Sequence, residues 1–436
     1  MSMTKRLLST TALASAGLAL AFSGDAGAIE PLKVPSAGRI KIEVHGYMQQ
    51  LIVGLDQDFN DDDAGRTPQG YKAAPLDVKM NPEICFVGET ALDNGITVGV
   101  NVQLEGQLPT DDYIDEQYLY LSSDSWGKVI LGSENNAAYL LHVGSPDGGI
   151  SVDSGDVINN SFYVNTAILD FYDSPAGTTF LRNNDNDSQK ITYITPRVAG
   201  FQLGVSYIPK LQPGGGDGNN PNFEVGGAGN GSGHHNGWAG GLNYTQNFGQ
   251  WTLATYGGAM WAEQTTALDS DGSDDDLFAY GLGAQTGFAG FKVGGAYHQV
   301  TSGKRTAGGP GVINLGGGPD FVSTTAGAAT SMKGWSYSVG GSYETGPYEV
   351  GVAWLQSSTE GAVGDPSDQE HKVLAVSGSW GLGPGVRMVG GFFWFDDDAE
   401  DTRFTGNIGT NPAQFVENTR SDTDGWGLVA GLKVSF

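Results

Sequence analysis

The residues of this chain best suited to chemistry are acidic side chains at alternating positions. Side-chain oxygens, the ligand type that Ca²⁺ prefers, recur at Asp56, Asp58, Asn60 and Asp62. The central glycine and the distal glutamate of an EF-hand loop are absent from this stretch. The spacing therefore leaves two interpretations open, a calcium site at the protein surface and a solvated acidic loop.

Motifs for nucleophilic or metal-bound catalysis are absent from the sequence. The chain has one cysteine, Cys85, and six histidines, of which His234 and His235 are adjacent in a glycine-rich stretch. There is no Cys-x-x-Cys pair, no His-Glu-x-x-His motif and no phosphate-binding glycine motif, and no convincing set of Ser, His and acidic residues stands out. The sequence therefore predicts that the protein is not an enzyme and has no cofactor, with Ca²⁺ as the one open candidate.

The charge of the chain is strongly acidic. It has 49 Asp and Glu against 22 Lys and Arg, a formal net charge of −27. Nucleic acid is excluded as a partner, because binding to phosphates needs the opposite sign. Four acidic clusters fall between strand-like segments and are predicted to be loop tips, at residues 56–63, 183–187, 269–276 and 396–401.

The N-terminus has the form of a secretory signal. Lys5 and Arg6 precede an apolar run over residues 11–22, and Ala26 and Ala28 place small residues at the −3 and −1 positions of a cleavage site. The run is shorter than the roughly 20 residues of a membrane helix. We expect residues 1–28 to be removed and residues 29–436 to form a single domain.

The C-terminus shows a period of two, which is typical of a β-strand. Trp426, Leu428, Leu432 and Phe436 are predicted to face lipid or a neighbouring subunit, and the intervening Gly427, Gly431 and Lys433 to face inward. Beyond residue 28 no apolar run approaches the length of a membrane helix. If the mature chain spans a membrane, it does so as a closed barrel, because only a closed barrel or a helix pairs every backbone group in lipid.

Turn signals divide the mature chain into sixteen predicted strands, the even number expected of a single-chain bacterial barrel. Predicted strands at 39–56, 385–396 and 424–436 are examples, and short turns alternate with long polar links. Trp335 and Tyr343 share one strand face eight residues apart. At a rise of about 3.3 Å and a tilt of about 40° this spacing spans roughly 20–25 Å, as expected for an aromatic girdle at each edge of an apolar band.

Strand parity predicts which side chains line the lumen. If Ile40, Ile42 and Val44 face lipid, the side chains of odd-numbered residues on the first strand must point inward. The same count on the next two strands completes the predicted pore-lining set of Arg39, Lys41, His45, Lys79, Glu83, Gln103 and Glu105.

Several short patterns follow one another in an order and spacing that is fairly specific. They lie at 42–47 (IEVHGY), 100–105 (VNVQLE), 118–121 (YLYL), 126–132 (WGKVILG), 193–201 (YITPRVAGF) and the terminal Phe436. On these patterns the chain resembles the Gram-negative general diffusion porins, specifically the sixteen-stranded trimeric type of α-proteobacteria. The resemblance covers nearly all of the mature chain.

The resemblance implies an all-β fold, a transmembrane antiparallel β-barrel of sixteen strands in the bacterial outer membrane. It implies a homotrimer in contact with lipid and lipopolysaccharide, with a third long loop, here residues 135–187, folded inward to narrow each pore. It also implies that acidic residues of this loop face basic residues of the wall, the acidic candidates being Asp147, Asp153, Asp156 and Asp170.

These observations predict a passive, weakly cation-selective channel for small hydrophilic solutes and ions. A net negative charge around a pore raises the local concentration of cations. Two alternatives stay open. A substrate-specific channel, for instance for sugars, would need an ordered row of inward aromatics, for which Tyr118, Tyr120 and Tyr256 are candidates. A barrel that acts mainly as a surface adhesin would use long loops such as 211–235 and 302–332.

Overall fold

The structure, a computed structural model, describes twelve ranges of the chain and the single residue 185 between two of them. The ranges are 40–59, 74–106, 114–153, 177–182, 188–211, 234–264, 276–306, 312–313, 321–322, 329–360, 368–404 and 415–436. We call these ranges, together with residue 185, the described chain. The predicted signal peptide lies outside these residues.

The described chain forms twenty strands and one short helix. The first half contains β1 (Lys41–Phe59), β2 (Leu76–Ala91), β3 (Thr97–Glu105), β4 (Ile114–Ser123), β5 (Gly127–Ser133), α1 (Ala137–Leu140), β6 (Gln189–Ile194), β7 (Phe201–Lys210), β8 (His234–Phe248), β9 (Trp251–Gln264), β10 (Leu277–Phe288) and β11 (Phe291–Ser302). The second half contains β12 (Lys304–Thr306), β13 (Val312–Ile313), β14 (Phe321–Val322), β15 (Ala329–Ser331), β16 (Gly334–Thr345), β17 (Tyr348–Glu360), β18 (Asp368–Gly383), β19 (Val386–Phe404) and β20 (Phe415–Ser435).

Sixteen of the strands close into one antiparallel barrel, which confirms the predicted fold and strand number. The order runs from β1 to β11 and then from β16 to β20, and β1 pairs with both β2 and β20. The other four strands form two small hairpins, β12 with β15 and β13 with β14, in the link between β11 and β16. Because β1 and β20 pair with each other, the barrel has no open edge.

The predicted side-chain alternation is confirmed on the first and last strands. On β1, Val44 and Ile52 are exposed, whereas Leu51 and Val53 are 0% and 1% exposed. On β20, Leu428 is 55% exposed and Val429, its neighbour, is 4% exposed. The predicted outward set, Trp426, Leu428, Leu432 and Phe436, is exposed throughout. The apolar side chains on the outer face are therefore those that a lipid environment would cover.

The predicted loop tip at 396–401 is wrong, because a strand continues through it. A strand also extends into the first residues of the predicted loop tip at 56–63, of which residues 60–63 lie outside the described chain. Asp56 and Asp58 lie within β1, which ends at Phe59, and β19 continues through the 396–401 cluster to Phe404. The predicted last strand began at 424, whereas β20 begins at Phe415. The ladder is held by backbone hydrogen bonds, so it extends past the apolar band whether an acidic side chain is exposed, as at Asp56 and Asp58, or buried, as at Asp397. Of the other two clusters, only Asp185 and Asp276 belong to the described chain.

Aromatic side chains form cross-strand pairs near both ends of the outward face, as the spacing predicted. At the end with the short turns, the rings of Phe291 and Tyr343 pack at a tilt with their centroids 4.3 Å apart. Toward the end with the long links, the rings of Trp354 and Trp394 lie 6.1 Å apart. Rings at these two levels are typical of a barrel whose apolar band meets a bilayer. No helix in the described chain is long and apolar enough to span a membrane.

Candidate functional site: the barrel lumen

The link between β5 and β6 contacts the inner wall of the barrel. We call residues 134–153 the inner belt and residues 177–182 the return arm. The backbone N–H of Ala137 donates to Ser206 Oγ on β7 at 2.8 Å, and that of Gly148 donates to Ser377 Oγ on β18 at 3.2 Å. Ser206 and Ser377 are both buried on the lumen side. The inner belt therefore extends along the inner wall from β7 to β18.

Apolar side chains at both ends of the inner belt pack against the barrel wall. Leu140, Leu141 and Val143 join a buried cluster contributed by the walls of β4–β11. Ile150 and Val152 join a second buried cluster on β1 and β17–β20. Burial of such side chains contributes about 1.5–3 kcal/mol each, so the inner belt is held to the wall along its length.

Asn136 ties the inner belt to the segment that returns to β6. Its Oδ1 caps α1 by accepting from Tyr139 N at 3.0 Å, an N-cap for which Asn is a preferred residue. Its Nδ2 donates to Leu181 O at 2.7 Å and to Asp185 Oδ2 at 2.8 Å. One buried amide thus fixes the helical turn and its distance from the return arm.

Asp153 forms a second connection to the return arm. Its Oδ1 accepts from Thr179 N at 2.8 Å and from Thr178 Oγ1 at 3.2 Å. Its Oδ2 accepts from Ser338 Oγ on β16 at 3.1 Å and from Thr179 Oγ1. Asp153 is 6% exposed. A carboxylate with four donors and almost no contact with water holds the chain in place rather than presenting charge to solutes.

His142 completes the contact between the two segments. Its ring stacks on Phe180 at 3.9 Å between centroids, and its Nε2 lies 3.1 Å from Thr179 Oγ1. Burial lowers the pKa of His142 to about 4, against a smaller opposing effect of Asp153. The imidazole is therefore neutral at neutral pH, and the belt adds no positive charge there.

The inner face of β1–β5 is rich in carboxylates. Within the described chain its acidic residues include Glu43, Asp77, Glu83, Glu89, Glu105 and Glu116, and its lysines are Lys41, Lys79 and Lys128. Glu83 and Glu105 are direct cross-strand partners, and both keep contact with water. Like charges placed directly opposite each other repel, and a nearby mobile cation relieves that repulsion.

The structure places the predicted wall residues as follows. Lys41, His45, Lys79, Glu83, Gln103 and Glu105 all lie at inward register positions on β1–β3. Lys79 Nζ forms an ion pair with Asp77 Oδ2 at 2.6 Å, and Gln103 is buried and donates to Glu116. Arg39 lies outside the described residues. The role of these side chains at a narrow point of the pore stays a prediction.

The predicted acidic loop residues separate into different environments. Asp147 is partly exposed, and its Oδ1 accepts from Gly149 N at 2.7 Å, whereas Asp153 is buried. Asp156 and Asp170 lie outside the described residues. Of the four loop candidates, Asp147 is the described one with access to water.

The predicted calcium ligands are only partly described. Asp56 and Asp58 lie two residues apart on the outward face of β1, and Asn60 and Asp62 fall outside the described residues. Among the residues that the structure describes, no group of three or more His, Cys, Asp or Glu side chains is arranged to hold a metal ion. The calcium site stays a prediction.

Sequence reasoning missed a polar row on the inner wall. Ser357, His371 and Asp397 are register partners on β17, β18 and β19, and His371 Nδ1 lies 2.5 Å from Asp397 Oδ1. The three residues are 0–1% exposed, and Ser357 Oγ accepts from Gly177 N of the return arm at 3.1 Å. Ser357 thus holds the return arm, and the whole row is buried where a substrate has no access. The three residues are brought together by the register between strands, and this register cannot be read from the sequence.

A second missed group lies toward the end of the lumen with the short turns. Arg387 Nη1 lies 3.2 Å from Glu349 Oε2 and 2.8 Å from Ser379 Oγ. Lys292 Nζ lies 3.4 Å from Glu344 Oε2 and 3.8 Å from Glu349 Oε1. These basic side chains stand on β11 and β19, so the lumen has a mixed-charge wall there and an acidic wall on β1–β5.

Comparisons with known proteins agree with this architecture. A sequence model of the family described as Gram-negative porin matches residues 9–400. No curated protein matches the chain. The structure of an anion-selective porin from Comamonas acidovorans is similar with a TM-score of 0.53 and 16% identity, covering 91% of this chain and 100% of that one. The outer membrane channel DcaP of Acinetobacter baumannii is similar with a TM-score of 0.52 and 13% identity, covering 94% of this chain and 100% of that one. At these identities the likeness concerns the fold alone.

Proposed function

Since the chain belongs to the Gram-negative porin family, and is therefore a channel for small solutes in the bacterial outer membrane, we propose that it conducts passively and weakly favours cations. The observation that carries the cation preference is the excess of carboxylates on the inner face of β1–β5. Such charges act on a permeating ion at distances shorter than the Debye length of about 8–10 Å.

Burial of the inward tyrosines supports a diffusion channel over a sugar-specific one. A sugar pathway needs aromatic faces that are open to the solute, but Tyr118, Tyr120 and Tyr256 are only 3–5% exposed. All three rings belong to a buried cluster of the wall, and the Tyr256 ring lies 5.3 Å from the His142 ring of the inner belt. The polar solutes that cross the pore meet carboxylates and ammonium groups on β1–β5 instead.

Planar bilayers test this proposal. We expect ohmic conductance and a reversal potential, under a tenfold KCl gradient, that corresponds to about two- to fivefold preference for K⁺ over Cl⁻. The preference should shrink as salt rises, because screening shortens the reach of the wall charges. A preference for Cl⁻ would contradict the selectivity, and a block by one sugar at low concentration would favour the substrate-specific channel.

We infer that the outer face of β1–β5 is the contact between subunits of a homotrimer, the assembly that the resemblance to porins implies. Within the described chain this face carries a single aromatic residue, Phe86, although aromatic pairs line the outer face of the other strands. Girdle aromatics lie where a barrel meets the lipid–water interface. A sector without them, lined by small and aliphatic side chains, is suited to another protein surface.

A bulky substitution on each face tests this assembly. Val100 on β3 and Val293 on β11 are 46% and 59% exposed, so tryptophan at either position points away from the barrel. We expect Val100→Trp to shift the detergent-solubilised protein from trimer to monomer in analytical ultracentrifugation, because it adds volume to a packed interface. Val293→Trp is the matched control and should stay trimeric. A trimer in both variants would place the interface elsewhere.

A further inference from the structure

Glycines recur on the inner face of β7–β10 and of β16 and β17, directly beneath the inner belt. Six of them contact it or would do so through an added Cβ, namely Gly204 on β7, Gly241 on β8, Gly258 on β9, Gly283 on β10, Gly340 on β16 and Gly351 on β17. We call these six residues the glycine track. The belt residues above them run in the same order, from Ala137 at Gly204 to Gly148 at Gly351.

Contact distances show how closely the belt approaches the wall. A Cβ at Gly283 would overlap the carbonyl oxygen of Val143, and one at Gly340 would overlap that of Pro146. A Cβ at Gly351 would lie 2.6 Å from the backbone nitrogen of Gly148. These neighbours are backbone atoms, so a flexible side chain cannot make room by changing its rotamer.

Backbone conformation does not account for these glycines. None of the six has a positive φ, whereas the turn glycines Gly95 and Gly249 do. Glycine inside a strand costs about 0.5–1 kcal/mol relative to alanine and is found where another backbone approaches closely. The close approach of the inner belt is the feature that all six positions share.

Side chains of the wall hold the belt at this short distance. Asn243 Nδ2 on β8 donates to Leu141 O at 3.0 Å, and Ser377 Oγ on β18 accepts from Ile150 N at 3.4 Å as well as from Gly148 N. These bonds need the belt backbone to lie within one hydrogen-bond length of short side chains. A belt displaced toward the pore axis would lose them.

We propose that the glycine track sets the bore of the channel, because it lets the inner belt lie flat against the wall instead of in the solute path. The inference rests on the proposed channel function. It assigns Gly283, Gly340 and Gly351 as positioning residues, since they act on solutes only through the belt. One methyl group at any of them must lift the belt toward the pore axis, and the open cross-section falls with it.

Single alanine substitutions test the proposal. We expect Gly283→Ala and Gly340→Ala each to lower single-channel conductance by about a third in 1 M KCl, since the channel narrows. The matched control is Gly257→Ala on β9, whose added Cβ would point outward and meet only Leu282 at an ordinary 3.5 Å. Conductance in both track variants equal to that of Gly257→Ala would overturn the proposal.

A chemical readout separates belt position from channel function. Ser377→Cys in a Cys85→Ser background places a thiol beneath Gly148, where a water-soluble maleimide should react slowly. Adding Gly340→Ala or Gly351→Ala should speed labelling about tenfold as the belt lifts, whereas Gly257→Ala should not.

Lower conductance with unchanged labelling would overturn the proposal that the glycine track positions the inner belt. Faster labelling in a protein that shows no cation preference would overturn only the proposed selectivity. If Gly283→Ala does not assemble, Gly340→Ala and Gly351→Ala carry both measurements.

Discussion

Replacing Glu83 and Glu89 together by glutamine is expected to remove most of the cation preference of the channel. Both carboxylates face the lumen from β2 and stay partly exposed to water. Glutamine keeps an oxygen that can accept from Cys85 Sγ, now 3.2 Å from Glu83 Oε1, and from Tyr120 Oη, now 2.7 Å from Glu89 Oε2. The wall geometry is thus retained while two negative charges are lost. The K⁺ to Cl⁻ permeability ratio should fall to about 1.

Asp56 and Asp58, which face outward, provide a control that changes the net charge of the protein without changing the charge of the lumen. Changing both to asparagine removes the same two charges from the outer face of β1, on the far side of the barrel wall. Water and salt screen these exposed groups, so reversal potentials should stay close to the parent at 0.1 M salt and above. A larger effect from the outward pair would mean that overall surface charge, rather than the lumen wall, governs selectivity.

Asp153→Ala is expected to loosen the return arm by about 3 kcal/mol, because it leaves the buried N–H of Thr179 without its acceptor. Hydrogen exchange at the Thr179 and Gly177 amides should accelerate by about 100-fold while barrel amides keep their protection. Asp153→Asn retains an acceptor for Thr179 N and should lose much less. Equal exchange in the parent and both variants would remove Asp153 from this role.

Asp147→Asn provides the complementary result. Asp147 is partly exposed, and an asparagine oxygen can still accept from Gly149 N. We therefore expect a modest loss of cation preference with unchanged hydrogen exchange in the return arm. If Asp147→Asn loosened the arm as strongly as Asp153→Ala does, the division between a charge that meets ions and a charge that holds the chain would be wrong.

The sequence by itself determined the barrel. A period of two is a local property of a strand with one apolar face, so Trp426, Leu428 and Leu432 could be assigned outward without knowledge of any partner strand. Turn residues are local signals too, and they gave the sixteen strands that the closed barrel contains. Strand ends were less predictable. Acidic residues such as Asp398 were predicted to lie in a loop, although the backbone ladder of β19 includes them.

Only the tertiary structure decided what the lumen residues do. Asp147 and Asp153 are six residues apart and chemically identical, yet one is partly exposed and the other is enclosed by Thr178, Thr179 and Ser338. The partners of Asp153 lie 25, 26 and 185 positions away in the chain. No local pattern encodes such distances. The role of the glycine track could not be predicted from the sequence for the same reason, because a glycine in a strand can be explained only once the backbone segment that packs against it is known.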